Sequence, residues 1–164
     1  MLFRSLLKVA QRDPDLGFVG DIVSVDTTVL RSAISDGSVP VVATIGADSS
    51  GQAYNVNADT AAAAIAVALG AEKLVYLTDI DGLRLDKDDA SSLLGRATAG
   101  EIRAMMTSGA IDGGMIPKME SCLEALDGGV KRTHLLDGRI PHVLLIEMFT
   151  DAGVGTMITK DAQS

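Results

Sequence analysis

The chain has 164 residues, 47% of them apolar and 22% charged, which suits a single globular domain with a real core. A formal net charge of −8 argues against nucleic acid or an anionic membrane as the main partner, and no apolar run is long enough to span a bilayer. The lone cysteine, Cys122, excludes a disulfide within the chain and points to a reducing, cytoplasmic setting, and residues 1–12 do not read as a secretory signal.

In chain order, residues 1–15 lack a clear period and form a poorly defined N-terminal segment that the Asp13-Pro14-Asp15 turn ends. Residues 18–25, rich in β-branched side chains, read as a strand or hairpin. Asp26 or Thr27 can cap a short helix with Val29, Leu30, Ala33 and Ile34 on one face, stopped by Gly37. Residues 39–45 have the composition of a buried strand, and residues 53–56 return as another. Residues 60–69 are nearly all alanine with Ile65, Val67 and Leu69, a helix apolar all round and therefore buried on several sides, capped by Gly70. A strand over 73–77 leads to a polar turn, and residues 84–92 read as a surface loop. Thr98-Ala99-Gly100-Glu101 is a capping box that opens a helix with Ile102, Met105 and Met106. A further helix carries Met119, Cys122, Leu123 and Leu126, with Cys122 on its apolar side. A strand over 133–136, a short apolar helix over 142–148 and a strand over 155–158 complete the chain. Strands alternate with helices, so the expected class is α/β with a largely parallel sheet.

Four segments are candidates for chemistry. Gly113-Gly114-Met115-Ile116-Pro117-Lys118 places two flexible residues and a helix-starting proline before a lysine. A cation at the positive end of a helix dipole is unfavourable by roughly 0.3–1 kcal/mol. A bound phosphate would offset that; a solvated surface lysine is the plainer alternative. Asn55-Val56-Asn57-Ala58-Asp59 precedes the alanine helix. Asp59 is either its N-cap or a functional carboxylate, and Asn55 and Asn57 share one face if the stretch is extended. Thr78-Asp79-Ile80-Asp81-Gly82-Leu83 follows a strand, where open α/β sheets bind ligands. A calcium loop lacks its remaining ligands here. The small residues of 149–156 permit a close backbone approach. With two histidines, His134 and His142, and no zinc spacing, no metal centre is expected.

Taken in order, Asn55–Asp59, Leu77–Gly82, Gly113–Lys118, His134-Leu135-Leu136-Asp137-Gly138 and Glu147–Thr156 resemble the C-terminal part of the N-acetylglutamate kinase family. The resemblance runs from about residue 16 to 158 and makes residues 16–164 the nucleotide-binding part of a larger domain. It implies the amino-acid kinase fold, a three-layer αβα sandwich with a mainly parallel sheet. It also implies transfer of phosphate from ATP, carried with Mg2+, to the γ-carboxylate of N-acetyl-L-glutamate in arginine biosynthesis. On this resemblance Lys118 stabilises the transferring phosphoryl group and Asp59 orients the catalytic lysines. Asn55 and Asn57 bind substrate. Thr78, Asp79, Ile80, Asp81, Gly82, Leu83 and Arg84, with Ala110, Ile111 and Asp112, line the ATP site. His134, Glu147 and Gly153 match a site for L-arginine as inhibitor.

The family also has an N-terminal half with a glycine-rich loop, a second catalytic lysine, a His-Gly-Gly segment and the usual contact of its homo-oligomers. No such glycine pair follows Lys8, and the resemblance implies a truncated chain with impaired turnover. The alternatives are a catalytically incomplete nucleotide- or arginine-binding module, or another amino-acid or carbamate kinase.

Overall fold

A computed structural model describes residues 5–86, 88–111, 113–149 and 153–160. The chain divides into two compact units, Met1–Gly70 and Ala71–Ser164.

The first unit is built on a four-stranded sheet of order β2-β1-β3-β4. Strands β1 (Leu7–Gln11) and β2 (Gly20–Val25) form an antiparallel pair. The turn between them is set by Asp13, whose carboxylate accepts from the Asp15 N–H at 2.9 Å. Residues 7–11 were expected to be part of an ill-defined segment. They form β1 because Leu7 and Val9 are buried on either side of exposed Lys8, a period-2 pattern too short to stand out from its neighbours. Strand β3 (Ile45–Ala47) lies parallel to β1 through Lys8↔Ala47 and antiparallel to β4 (Ala53–Asn55). Tyr54 packs its ring 6.1 Å from that of Phe18 and donates its hydroxyl to Asp48 at 3.2 Å.

Helix α1 (Thr28–Ser35) starts where Asp26 accepts from the Thr28 N–H, and α2 (Ala58–Leu69) ends at left-handed Gly70. From Ala61 to Leu69 no residue is fully exposed, as the all-round apolar sequence requires. Leu7, Val9, Tyr54, Val56 and Ala61 form the core. The expected buried strand over 39–45 is not found: regular pairing begins only at Ile45, and Val39 and Val41 are 89% and 96% exposed. Composition states that such a stretch suits burial; it does not supply the neighbour that covers it.

The second unit has a sheet of order β5-β7-β8-β6. Strands β5 (Lys73–Thr78) and β7 (Arg132–Asp137) are parallel along their whole length, from Lys73↔Arg132 to Thr78↔Asp137. Strand β8 (Thr156–Thr159) runs antiparallel to β7 and parallel to β6 (Arg96–Thr98). The α/β class holds, but the mainly parallel sheet expected from sequence is replaced by two mixed sheets. The second is largely parallel, whereas the first is largely antiparallel because hairpins, not helical crossovers, join β1 to β2 and β3 to β4.

Helix α3 (Ala99–Ser108) opens with the expected capping box: Glu101 accepts from the Thr98 N–H at 2.7 Å and its own N–H donates to the Thr98 hydroxyl at 3.2 Å. Helices α4 (Met115–Asp127) and α5 (Val143–Phe149) follow. Ile102, Met119, Cys122, Leu126, Leu135, Leu136 and Ile158 have no exposed surface, so Cys122 is a core residue as its helical spacing indicates. Among the described residues, no helix is long and apolar enough to cross a membrane.

Candidate functional site

The parallel register of β5 and β7 brings the carboxyl ends of both strands together, with Thr78 beside Asp137. The turn after β7 is tied to the end of β5 by the Gly138 N–H, which donates to the Thr78 carbonyl at 2.8 Å. Beyond these ends opens a cavity of about 780 Å³, lined by residues 79–86 and 109–111, Met115, Asp137 and Arg139. Ligands of α/β proteins gather at this place in the fold.

The 79–86 loop is held in shape from β8. Thr156, 1% exposed, accepts from the Leu83 N–H at 2.8 Å and donates to the Leu94 carbonyl at 2.7 Å. Gly82 has φ +142°, and a Cβ there would lie 2.7 Å from the Thr156 hydroxyl, so the loop closes on β8 only without a side chain. Two guanidinium–carboxylate pairs face the cavity. Arg84 meets Asp81 at 2.7 Å. Arg139 grips Asp137 with two bonds of 2.8 Å, and its backbone N–H donates to the same carboxylate at 2.9 Å. The side-chain bonds, then the backbone bond, hold the Asp137 carboxyl below the usual carboxylate range. The bond from Arg84 does the same for Asp81. Asp79 and Asp81 lie near enough to Arg139 to favour its charge further.

Of the residues expected at a nucleotide site, Asp79 to Arg84, Ala110 and Ile111 line this cavity. Thr78 remains in β5 and is not among its lining residues; Asp112 lies outside the described residues. Asp137 and Arg139 were not expected there, because only the non-local register of β5 and β7 places them. The Asp137-Gly138 turn after a strand was their one local signal.

Lys118 lies in the first turns of α4, whose N-cap, Gly114, offers no side-chain cap. Its ammonium stands 5.3 Å from the centroid of the buried Tyr76 ring, a cation–π distance. Met115, one turn earlier on the same face, lines the cavity. Asn55, Asn57 and Asp59 belong to the first unit. The sequence left Asp59 open as N-cap; the cap is Asn57, whose side-chain oxygen accepts from the N–H groups of Asp59 at 3.0 Å and Thr60 at 3.1 Å. That oxygen is engaged by the helix start. Asn55 and Asn57 are both exposed on either side of buried Val56, so they do share a face.

His134 and Glu147 are brought together. The His134 Nδ1 lies 2.7 Å from one Glu147 oxygen, and the other oxygen accepts from the Val154 N–H at 3.0 Å. Gly153 itself is exposed; its successor makes the contact. The His134 Nε2 is buried and has no hydrogen-bond partner among the described residues. Burial pushes the His134 pKa below the ordinary 6.5, outweighing the pull of Glu147 in the other direction. An unfolded chain therefore takes up a proton as pH falls past that value before the folded one does, and stability drops on acidification. The melting temperature is expected to fall between about pH 7.5 and pH 5.5, and His134→Gln to flatten that slope, as read by thermal unfolding across the range. An unchanged slope in the variant would show that His134 takes no part in it.

The chain matches the amino acid kinase family over residues 3–137. It belongs to that family. Among curated members of this amino acid kinase family, the acetylglutamate kinase of Symbiobacterium thermophilum is 60% identical over 146 residues, covering 89% of this chain and 50% of the relative. That of Acidothermus cellulolyticus is 56% identical over 150 residues, again 89% and 50%. The chain thus spans about half the length of the curated relatives it matches. Of solved structures, N-acetylglutamate synthase from Neisseria gonorrhoeae, complexed with coenzyme A and L-arginine, superposes with a TM-score of 0.87 at 32% identity, over 96% of this chain and 37% of that one. Carbamate kinase from Giardia lamblia bound to AMP-PNP shares the fold of this amino acid kinase chain, with a TM-score of 0.66 at 20% identity over 87% of this chain and 47% of that one.

Proposed function

We infer that this chain is the nucleotide-binding, C-terminal half of an acetylglutamate kinase, acting in arginine biosynthesis in the cytoplasm as part of a homo-oligomeric protein. The single observation that carries the reading is the cavity at the carboxyl ends of β5 and β7, in a chain 60% identical to an acetylglutamate kinase. Its volume of about 780 Å³ falls within the range of cofactor and nucleotide sites. The donor set also suits ATP: Arg84 and Arg139 offer guanidinium groups to phosphates, and Asp79 offers a carboxylate to ribose hydroxyls. Among the described residues no three His, Cys, Asp or Glu side chains are grouped to hold a metal ion. Magnesium arriving on the phosphates would supply neutralisation of their charge.

In the reaction a γ-carboxylate oxygen of N-acetyl-L-glutamate forms a bond to the γ-phosphorus of ATP. The bond from that phosphorus to the β,γ-bridging oxygen breaks, and ADP leaves with the electron pair. The chain's part is positioning and charge stabilisation. The Lys118 ammonium, in the first turns of α4, stabilises the transferring phosphoryl group. Asn55, in the first unit, binds the substrate.

Titration calorimetry with MgATP is expected to show binding to the chain alone, weakened about tenfold in Lys118→Met, which removes one charge-assisted contact. Equal affinity in the variant would remove Lys118 from the phosphate site. A coupled assay with N-acetyl-L-glutamate is expected to show little or no turnover, and near-normal turnover would overturn the half-protein reading.

A second reading is a module that binds L-arginine. The observation favouring it is the Glu147 carboxylate, held between His134 and the Val154 N–H. Arginine binding without ATP binding would favour this reading over the first.

A further inference from the structure

Strand β5 and helix α4 meet in one contact of unlike partners: the Lys118 ammonium stands 5.3 Å from the centroid of the Tyr76 ring. Tyr76 is fixed by its strand. The residue is 5% exposed and pairs with fully buried Leu135 in the parallel register of β5 and β7. It lies two residues before Thr78, at the carboxyl end of β5, beyond which the cavity opens. A lysine is the opposite, because its long flexible stem lets the ammonium wander, so a defined position needs contacts that hold it. The first turn of α4 contains no acidic residue, and the helix dipole disfavours a cation there. A side chain on an α-helix leans back toward the N-terminus, which for Lys118 is the direction of Met115 and of the cavity that Met115 lines.

Among the described residues, Tyr76 is the only buried aromatic side chain of the second unit; the other ring there, Phe149, is 78% exposed. Bulk alone does not call for a ring at this place, since the facing residue, Leu135, is aliphatic. What a ring adds is a negative face, and it attracts an ammonium more strongly as water between them is removed. A half-buried lysine over a buried ring meets that condition. The attraction also acts on the position of the charge, because it is felt only close above the ring.

We propose that Tyr76 is a positioning residue for Lys118: its ring face holds the ammonium at the start of α4, in place for a phosphate in the cavity before the nucleotide arrives. Tyr76 acts through Lys118 and touches no ligand itself. The proposal rests on the reading of Lys118 as the residue that stabilises the phosphoryl group.

The test first reads the contact by NMR in the chain without nucleotide, using isotope-labelled lysines. Protons above an aromatic face are shifted upfield by its ring current. The Lys118 side-chain signal, identified by its absence in Lys118→Met, is therefore expected upfield of the other lysines. It is expected to stay there in Tyr76→Phe and to join the others in Tyr76→Met, where an apolar, flexible side chain fills the space without a ring face. A Lys118 signal already among the others in the parent chain would overturn the proposal with no variant needed. Titration calorimetry then compares MgATP with adenosine, which has no phosphate. Tyr76→Met is expected to weaken MgATP about fivefold and to leave adenosine unchanged, while Tyr76→Phe keeps the parental affinity for both. The double variant of Tyr76→Met and Lys118→Met is expected to bind MgATP as Lys118→Met does, since a ring acting through the ammonium has nothing left to position. Equal losses for MgATP and adenosine, or losses that add in the double variant, would mark a merely structural role and overturn the proposal. So would MgATP affinity that is unchanged or raised in Tyr76→Met while Lys118→Met is weakened; a rise is the sign of a ring that keeps the ammonium away from the phosphate. MgATP affinity unchanged in Lys118→Met would refute the phosphate reading, and the proposal with it, so the silent variant tells the two failures apart.

Discussion

Replacement of Gly155 by valine is expected to unfold residues 71–164 under conditions where the parent chain is native. Gly155 has φ +135°, a conformation L side chains rarely adopt, and a Cβ there would collide with the Leu135 carbonyl oxygen and meet Leu136 Cδ2 at 3.1 Å. Neither neighbour can retreat. Leu135 and Leu136 are fully buried, and Leu135 is paired with Thr156 in the antiparallel register of β7 and β8. Strain and overlap together cost about 4–5 kcal/mol or more, comparable to the whole stability of a marginal domain. Urea unfolding followed by far-UV circular dichroism checks this, with Gly153→Val as the control. Among the described residues Gly153 has no atom within 4 Å of its would-be Cβ, so that substitution is expected to stay within about 0.5 kcal/mol of the parent. Equal midpoints for the two variants would contradict the close approach of β8 to β7.

The second large effect belongs to Thr156. Valine preserves the shape and removes the hydroxyl, leaving the Leu83 N–H and the Leu94 carbonyl without their partner in a site that is 1% exposed. Each stranded group costs about 1–3 kcal/mol, so Thr156→Val is expected to lose about 2–5 kcal/mol. At a few degrees per kcal/mol, that lowers the melting temperature of the second unit by about 5–15 °C. Because the lost bonds shape the 79–86 loop, MgATP affinity is expected to fall as well, while Thr156→Ser recovers both. A variant that loses stability but keeps full affinity would show that the loop is formed without β8.

Local chemistry made the helix limits legible. Thr98 and Glu101 announce a start, and Gly70 a stop, through bonds made within a few residues. The Asp79 to Arg84 loop was legible for a related reason: a strand ending in Asp and Gly lies at the place where such sheets bind ligands. Asp137 and Arg139 were not, since their contribution depends on the six-residue register between β5 and β7, set by strands more than fifty residues apart. Residues 39–45 failed in the opposite direction. Their side chains fit a buried strand, but burial belongs to a pair of surfaces and the sequence carries only one. Asn57 shows a third limit: an asparagine beside a helix start serves the cap first, and its spacing from Asn55 cannot reveal that.

The two aromatic contacts make the molecule unusually easy to follow. It has two tyrosines and no tryptophan, and each unit holds one tyrosine: Tyr54 against Phe18 in the first, Tyr76 beneath Lys118 in the second. Their ring resonances form a built-in pair of spectroscopic reporters, one per unit, with no label added. A single denaturant titration read at both rings tells whether the halves melt together or in succession, and nucleotide arriving near Lys118 should move the signal of Tyr76 alone.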